Sequence, residues 1–418
     1  MSAPQISPEY LPGLDLMSLA GVPVIYHCHH FNLFLDQTID DALGPVEGPK
    51  VRFEAAREAF HELLSATVAL LDVDTPASRV QVARELLARM GHGRLDLDAG
   101  ARGGAASAAY LHYGFTWREK YGGLVGRSAP ADAVGAGFAA AATEVAFRLP
   151  RESVEVRETS CVAAKAPQCT FELSVGAQAN LRRPCLISDY ELTSKALFDG
   201  LWEDRIHEIT QGLRGFLAGV GGDERGLVEA FGVFVTMHLA GYYNRVTYDA
   251  ISGLQARAPR AIKMIEVLLR ESGHVCVFNT FGGILRSPEW EAMVGSPRTP
   301  EDVVLGCVAI ARALGFGHWT VERFEAGRQV VMRTPSSYEA CYYLSRHGRS
   351  ERPNDYFFQG AVMAIAQLAH RVDWSAPQAL TQDFYESLFR GEVPWTQEPQ
   401  THCLACGHDY SEVSVVHR

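Results

Sequence analysis

The sequence lacks the features that mark nucleic-acid-binding and membrane-spanning proteins. Its formal net charge is −11 and its longest basic run is the pair Arg182-Arg183, so it offers no concentrated cationic surface to phosphate groups. No stretch of uninterrupted apolar residues approaches the length of a membrane helix, and the first residues lack the basic and apolar segments of a secretory signal. We therefore expect a cytoplasmic protein with no nucleic-acid and no membrane partner.

Several common catalytic and structural signatures are missing as well. The nine cysteines are an odd number spread over 418 residues, unlike the dense disulfide framework of small secreted proteins, so we expect reduced thiols. The sequence has no phosphate loop, no dinucleotide fingerprint and no Gly-x-Ser-x-Gly elbow. With 47% hydrophobic and 21% charged residues, the chain has the composition of a folded protein and the length for two domains. Its Arg, Ala and Gly usage indicates a high-GC bacterial genome.

The two halves of the chain show similar segments in the same order, which predicts an internal duplication. Residues 24–31 are matched with 275–281, and the small-residue helix at 137–147 is matched with 360–370. Each repeat reads as strand, helix, strands, helix and a terminal hairpin. This order predicts an α+β fold of two related mixed repeats, each with a small antiparallel sheet and helices, joined by a helical middle segment.

The sequence therefore predicts three segments: a first repeat at 1–185, a helical connector at 186–272 and a degenerate second repeat at 273–418. We expect helices at 192–216, 226–246 and 259–271 within the connector, and an extra amphipathic helix at 51–71 in the first repeat.

A carboxylate and two thiols lie close together near the end of the first repeat. Glu158 and Cys161 end a segment that alternates like a strand, and Cys169 begins the next one after a Pro-containing turn. A strand-turn-strand brings residues at this spacing back together, and thiolate and carboxylate ligands suit zinc. The motif therefore predicts a zinc site. In the second repeat, Gln400, Cys403 and Ser411 occupy the matching positions, so that copy has lost two of the three ligands.

A second cluster of metal-binding side chains lies far upstream, at His27, Cys28, His29 and His30. If the segment is a strand, His27 and His29 point to one face and Cys28 to the other. These side chains are candidate ligands for zinc, iron or copper, and His27, His29 and His30 are candidate catalytic acids or bases. One joint site with the downstream cysteines and two separate sites both fit the sequence.

The remaining histidines and the C-terminal thiols have weaker signals. The isolated histidines at positions 92, 112, 238 and 318 are each typical of structural residues. Cys403 and Cys406 form a Cys-x2-Cys pair without the second pair of a zinc ribbon, which fits a relic or a minor separate site.

The sequence resembles the 4-vinyl reductase domain family. The resemblance rests on Gly137-Phe138, which open a small-residue helix, and on Glu158-x2-Cys161-x7-Cys169-x-Phe171. It covers about residues 80–175 and, more weakly, 303–416. It implies a mixed α/β domain related in fold to TRAPP transport subunits, which often forms dimers. It also implies zinc at the matching Glu and Cys residues, beside a pocket for an aromatic effector. The family's third Cys is absent, so the fourth ligand is missing or is Asp132.

Three functions remain open at this point. The first is a metal-binding protein, with zinc as the metal, that binds an apolar or aromatic small molecule. The second is a metalloenzyme of small-molecule metabolism, oxidoreductase or lyase-like, that uses His27, His29 and His30. The third, supported only by the family name, is a tetrapyrrole-handling protein. A small-molecule ligand or substrate is common to all three, and a homodimer is a further expectation.

Overall fold

The structure is a computed structural model that describes residues 6–123, 127, 129–176, 186–190, 199–376, 380–389 and 395–418. Its strands, in chain order, are β1 Glu9–Tyr10, β2 Met17–Leu19, β3 Val22–Cys28, β4 Asp96–Gly100, β5 Gly103–Ala108, β6 Val154–Ser160, β7 Cys169–Val175, β8 Val228–Ala230, β9 Val233–Leu239, β10 Thr320–Glu325, β11 Gln329–Thr334, β12 Trp395–Gln397 and β13 Ser411–His417.

The α-helices are α1 His29–Leu43, α2 Glu47–Leu70, α3 Pro76–Arg89, α4 His112–Tyr121, α5 Ala133–Phe147, α6 Glu203–Ala218, α7 Ala240–Arg257, α8 Ile262–Cys276, α9 Gly282–Leu285, α10 Pro288–Met293, α11 Pro300–Ala313, α12 Tyr338–His347, α13 Tyr356–Arg371 and α14 Gln382–Phe389. A π-helical segment, Val277–Phe281, follows α8, and short 3-10 turns lie at Val162–Ala164, Ile187–Asp189, Pro259–Ala261 and Leu404–Cys406. No helix among the described residues is long and apolar enough to cross a membrane.

The described residues form three antiparallel sheets surrounded by helices, so the predicted α+β class is confirmed. A five-stranded sheet in the order β1-β2-β3-β9-β8 joins the two halves. Each half also has its own four-stranded sheet. The orders are β4-β5-β7-β6 and β10-β11-β13-β12, and the sheets have the same connectivity along their respective segments. Each sheet packs with a buried, small-residue-rich helix, α5 in the first half and α13 in the second.

The central pair β3 and β9 relates the two halves in an approximately two-fold manner. Val24 pairs with Leu239 and Cys28 with Val235. The backbone N–H of Tyr26 donates to the carbonyl of Leu314 at 3.0 Å, and the N–H of Met237 donates to the carbonyl of Met90 at 2.9 Å. Each central strand is therefore bonded to the end of a helix, α11 or α3, from the opposite half.

The match between residues 24–31 and 275–281 is wrong, because 275–281 is the end of α8 and a π-helical segment. The counterpart of β3 is β9, since both strands run directly into a helix, α1 or α7. His238 consequently corresponds to His27. The helix expected at 51–71 is present as α2, but it is not an extra element, because α8 packs on α13 as α2 packs on α5.

The segment 186–272 is only partly helical. It contains α6, α7 and the start of α8, and also the strands β8 and β9 where a helix was expected at 226–246. All seven residues of β9 are buried, so the strand shows no polar alternation that would distinguish it from a buried helix. Residues 191–198, at the start of the helix expected at 192–216, lie outside the described residues. The division into 1–185, 186–272 and 273–418 stays a prediction.

Candidate functional site

The hairpin β6–β7 brings the three predicted zinc ligands together. Cys161 lies between the end of β6 and the 3-10 turn Val162–Ala164, and Cys169 is the first residue of β7. One ligand atom from each of Glu158, Cys161 and Cys169 lies within 4.8 Å of the others. Within the described part of the chain, these residues form the one group of three or more His, Cys, Asp and Glu side chains that converges in this way.

The spacing of the two sulfurs fits a tetrahedral metal. Cys161 Sγ and Cys169 Sγ are 3.8 Å apart. Zinc–sulfur bonds of about 2.3 Å at a tetrahedral angle separate two thiolates by about 3.8 Å. The backbone N–H of Ala131 donates to Cys161 Sγ at 3.3 Å, and that of Val162 donates to Cys169 Sγ at 3.4 Å. Such N–H donors stabilise thiolates and orient metal ligands.

Asp132 adds a second carboxylate beside the hairpin. It precedes α5, and its Oδ2 accepts from the backbone N–H of Gly114 at 2.9 Å and lies 4.0 Å from Cys169 Sγ. Its own backbone N–H donates to Glu158 Oε2 at 3.0 Å, whereas the buried Glu158 Oε1 has no hydrogen-bond partner among the described residues. Asp132 lies beside Cys169 but outside the group of three ligand atoms that converge within 4.8 Å, and Glu158 keeps an oxygen free for a cation.

The four acidic groups at this position have strongly perturbed pKa values. Burial, followed by the charges of Asp132 and Cys161, raises the pKa of Glu158 to about 10. Burial also raises the pKa of Asp132 to about 7. A hydrogen bond between the thiols lowers the pKa of Cys161 to about 5 and raises that of Cys169. None of the four forms an ion pair with Arg or Lys in the part of the chain that the structure describes, so a bound cation would supply the missing positive charge.

The corresponding position in the second half is filled by hydrogen bonds. Asp355 precedes α13 as Asp132 precedes α5, and its Oδ2 accepts from Cys403 Sγ at 3.1 Å and from Gln400 Nε2 at 3.2 Å. The hydroxyl of Ser411 donates to the same oxygen. Neutral donors thus surround Oδ2 of this buried carboxylate, while its Oδ1 has no hydrogen-bond partner among the described residues.

One further residue distinguishes the two halves at this point. Gly114, the third residue of α4, faces the two cysteines, and a Cβ placed on it would lie 3.2 Å from Cys169 Sγ and 3.6 Å from Cys161 Sγ. Ala340, the third residue of α12, occupies the corresponding position and packs against Cys403. The second half thus carries a methyl group where, in the first half, glycine lets Asp132 and the two cysteines approach the helix backbone closely.

The upstream cluster does not have the geometry of a single strand. β3 ends at Cys28 and α1 begins at His29, so His27 and His29 do not share a strand face as expected. His27 stacks on Phe31, and its Nδ1 lies 3.5 Å from Cys276 Sγ. Cys28 is fully buried and hydrogen-bonds to the same Cys276 thiol.

His29 and His30 contact a different set of residues. Their rings lie 4.0 Å apart; His29 Nδ1 accepts from the backbone N–H of Phe234, and His30 Nδ1 contacts the Tyr121 hydroxyl at 2.6 Å. No metal-ligand group that converges within 4.8 Å includes these histidines among the described residues. Their roles as ligands or catalysts stay predictions.

Three histidines that look isolated in the sequence come together in the interior with Asn32. His92 and His238 have ring centroids 4.6 Å apart, and His92 and His112 have centroids 6.3 Å apart. Asn32 Nδ2 donates to His112 Nε2 at 3.0 Å, and Asn32 Oδ1 accepts from the Tyr243 hydroxyl at 2.6 Å. We call His92, His112, His238 and Asn32 the histidine cluster. Because these residues come from four elements, no local spacing predicts it.

The histidine cluster carries an unsatisfied donor. Since His112 Nε2 accepts from Asn32, the proton of the neutral ring is on Nδ1, and this buried atom has no hydrogen-bond partner among the described residues. The buried Nε2 of nearby His29 is also unpartnered there. Burial lowers the pKa of His92 to about 3 and that of His112 well below the ordinary value. The rings are therefore neutral near pH 7.

Comparisons with known proteins give little further constraint. No family model and no curated protein matches the chain. A solved structure, described as the crystal structure of the phenol-responsive sensory domain of the transcription activator PoxR with phenol, is similar over 50% of this chain and 90% of its own. The identity is 11% and the TM-score is 0.36, which is too low to support an argument about fold or function. The resemblance to the 4-vinyl reductase domain family stays an expectation.

Proposed function

We propose that the protein binds a small molecule, and that a zinc ion held by Glu158, Cys161, Cys169 and Asp132 braces the first half around it. The observation that carries the zinc proposal is the 3.8 Å separation of the two sulfurs, which is the separation that tetrahedral zinc requires. The unpartnered oxygen of Glu158 and the close approach of Asp132 and Cys169 to Gly114 support it. Zinc is the metal proposed because it binds Cys sulfur together with Asp or Glu oxygen in tetrahedral sites.

The small molecule is proposed to lie at the histidine cluster. An unpaired buried N–H costs about 1–3 kcal/mol, and a ligand oxygen that accepts from His112 Nδ1 would remove this cost. Aromatic side chains pack against the other histidines of the cluster: His238 stacks on Tyr242 at 4.6 Å, and Phe60 contacts His92 edge-on at 5.5 Å. Aromatic neighbours together with one directed donor suit a small aromatic ligand that carries a hydroxyl group.

Metal analysis of the purified protein tests the zinc site. We expect about one zinc per chain by inductively coupled plasma mass spectrometry. Cys161→Ala and Cys169→Ala should each lose it, whereas Cys403→Ala, which removes a buried thiol from the corresponding hairpin, should keep it. Metal that survives both first-half substitutions would contradict the site. Redox-active iron or copper that is lost in His29→Ala would instead favour the metalloenzyme.

Calorimetric titration with phenol tests the ligand site. Wild-type protein should bind phenol saturably, and His112→Phe should weaken binding about tenfold or more, because the ring remains but its N–H donor is lost. His207→Gln, at an exposed histidine on α6, is the matched control and should bind like wild type. Equal affinities in all three proteins would refute the assignment of His112, and no heat of binding in wild type would refute a phenol-like ligand.

A further inference from the structure

A second candidate ligand site lies in the second half, in an open cleft between α7, α12 and the beginning of α8. Its volume is about 640 Å³, within the range of small-molecule sites. Three tyrosines, Tyr248, Tyr343 and Tyr356, form much of its wall, and the loop before α13 closes one side. We call this site the tyrosine cleft. It is separate from the β6–β7 hairpin and from the histidine cluster.

Among the residues that line the tyrosine cleft, two buried polar atoms have no hydrogen-bond partner within the described part of the chain. They are the hydroxyl of Tyr248 and the carboxamide oxygen Oδ1 of Asn354. Each residue is only 4% exposed, so solvent reaches these side chains little. A buried hydroxyl or amide oxygen without a hydrogen-bond partner destabilises the folded protein. A ligand that accepts from Tyr248 and donates to Asn354 would satisfy both atoms.

In the first half, a side chain of the protein itself, Arg127, occupies the corresponding position. There the guanidinium of Arg127 donates to Gln37 and Asp40 at 3.2 Å and lies over the ring of Trp117. Tyr248, Ile251 and Tyr343 of the tyrosine cleft occupy the same positions in their helices as these three residues occupy in α1 and α4. The second half therefore keeps an aromatic wall and replaces the Asp40 carboxylate by the apolar Ile251.

The charges around the tyrosine cleft favour an anion. Lys263 and Arg349 line it and are exposed, and neither forms a salt bridge within the described residues. Arg352 also lines it but is paired with Glu266 at 2.6 Å. Glu351 is the one acidic residue among the lining side chains. The beginning of α8 adds the partial positive charge of a helix N-terminus.

We propose that the tyrosine cleft binds a small aromatic anion that also carries a hydroxyl or N–H group. The aromatic ring packs against the tyrosines, and the anionic group faces Lys263 and Arg349. The hydroxyl of Tyr248 donates to the ligand, and Asn354 Oδ1 accepts from it. A cation of the Arg127 kind is disfavoured, because the cleft has lost the carboxylate that neutralises Arg127 in the first half.

The test uses full-length protein with 4-hydroxybenzoate as the anionic probe and 4-hydroxybenzyl alcohol as its neutral analogue, both measured by calorimetry. Wild type should bind the benzoate saturably and at least about fivefold more tightly than the alcohol. Arg349→Glu, an exposed charge reversal, should weaken benzoate binding about fivefold or more and leave alcohol binding nearly unchanged. Arg323→Glu, an exposed arginine on β10, is the control and should bind as wild type does.

Tyr248→Phe separates ligand binding from folding. It removes the unpaired hydroxyl and keeps the ring, so we expect a Tm equal to or above that of wild type together with at least about fivefold weaker benzoate binding. The proposal is overturned if wild type does not bind the benzoate, or if Arg349→Glu and Tyr248→Phe both bind it normally. It is also overturned if His112→Phe, rather than these substitutions, abolishes benzoate binding, since the probe would then occupy the histidine cluster.

Discussion

Acid should destabilise this protein through its buried histidines. His92→Phe should weaken the pH dependence of the free energy of unfolding by the contribution of one histidine. His92 is 3% exposed, and burial lowers its pKa to about 3. An unfolded histidine has a pKa of about 6.5. Between these two values the unfolded chain binds a proton that the folded chain does not, so the stability falls as the pH decreases.

The size of the effect follows from the linkage relation. One such histidine lowers the free energy of unfolding by about 1.4 kcal/mol per pH unit below pH 6.5, or by about 2 kcal/mol at pH 5. Burial also lowers the pKa values of four further buried histidines, at positions 27, 29, 112 and 238, well below the ordinary value. These four groups act in the same direction as His92, so acid should destabilise the protein more steeply than one buried histidine alone would.

Phenylalanine is the natural replacement for His92, because Phe316 occupies the corresponding position after α11. Urea unfolding at pH 7.5, 6.0 and 5.0 gives the free energy of unfolding of each protein. The comparison is made between variant and wild type, because buried carboxyls such as Asp36, whose pKa burial raises to about 6, change stability in the opposite direction. The loss between pH 6.0 and 5.0 should be smaller in His92→Phe by about 1.3 kcal/mol.

His207→Gln, at an exposed histidine, serves as the control and should leave the pH dependence as it is in wild type. An unchanged pH dependence in His92→Phe would show that His92 is protonated in the folded protein as readily as in the unfolded chain. The reasoning from burial would then be wrong.

Two substitutions test the metal position and the buried charges. In Gly114→Ala the added Cβ would lie 3.2 Å from Cys169 Sγ, so zinc affinity should fall about tenfold or more, as measured by competition with a chromophoric chelator. Wild-type affinity in this variant would contradict the role of the glycine. Arg52→Ala leaves Asp36 buried without its 2.8 Å ion pair and should lower the free energy of unfolding, measured in urea, by about 3–5 kcal/mol. The control Arg84→Ala breaks an exposed ion pair and should lower it by less than about 1 kcal/mol. Similar losses in both variants would show that burial does not decide the effect.

The hairpin site could be predicted because its residues are neighbours in the sequence. Glu158, Cys161 and Cys169 belong to one strand-turn-strand, whose alternation and turn residues define where their side chains meet. The positions that match them, Gln400 and Ser411, were also evident without a structure, since they lie in an equally local hairpin. The amphipathic helix α2 was recognised for the same reason, because its apolar period is complete within one segment.

The pairing of β3 with β9 depended on the tertiary structure. Both strands are buried along their whole length, so neither shows the alternation that distinguishes a half-exposed strand from a helix. Their pairing joins residues more than 200 positions apart, and their correspondence, which makes His238 the counterpart of His27, follows from the helix that comes directly after each strand.

The sequence by itself thus determined the α+β class, the local hairpin and the composition that disfavours nucleic-acid binding. Only the tertiary structure decided that Asp132 and Gly114 face the two cysteines, that three separate histidines surround Asn32, and that Tyr248 and Asn354 share a cleft. The physical reason is common to all three: their members lie on different helices and strands. Packing of those elements, rather than any spacing along the chain, brings the side chains together.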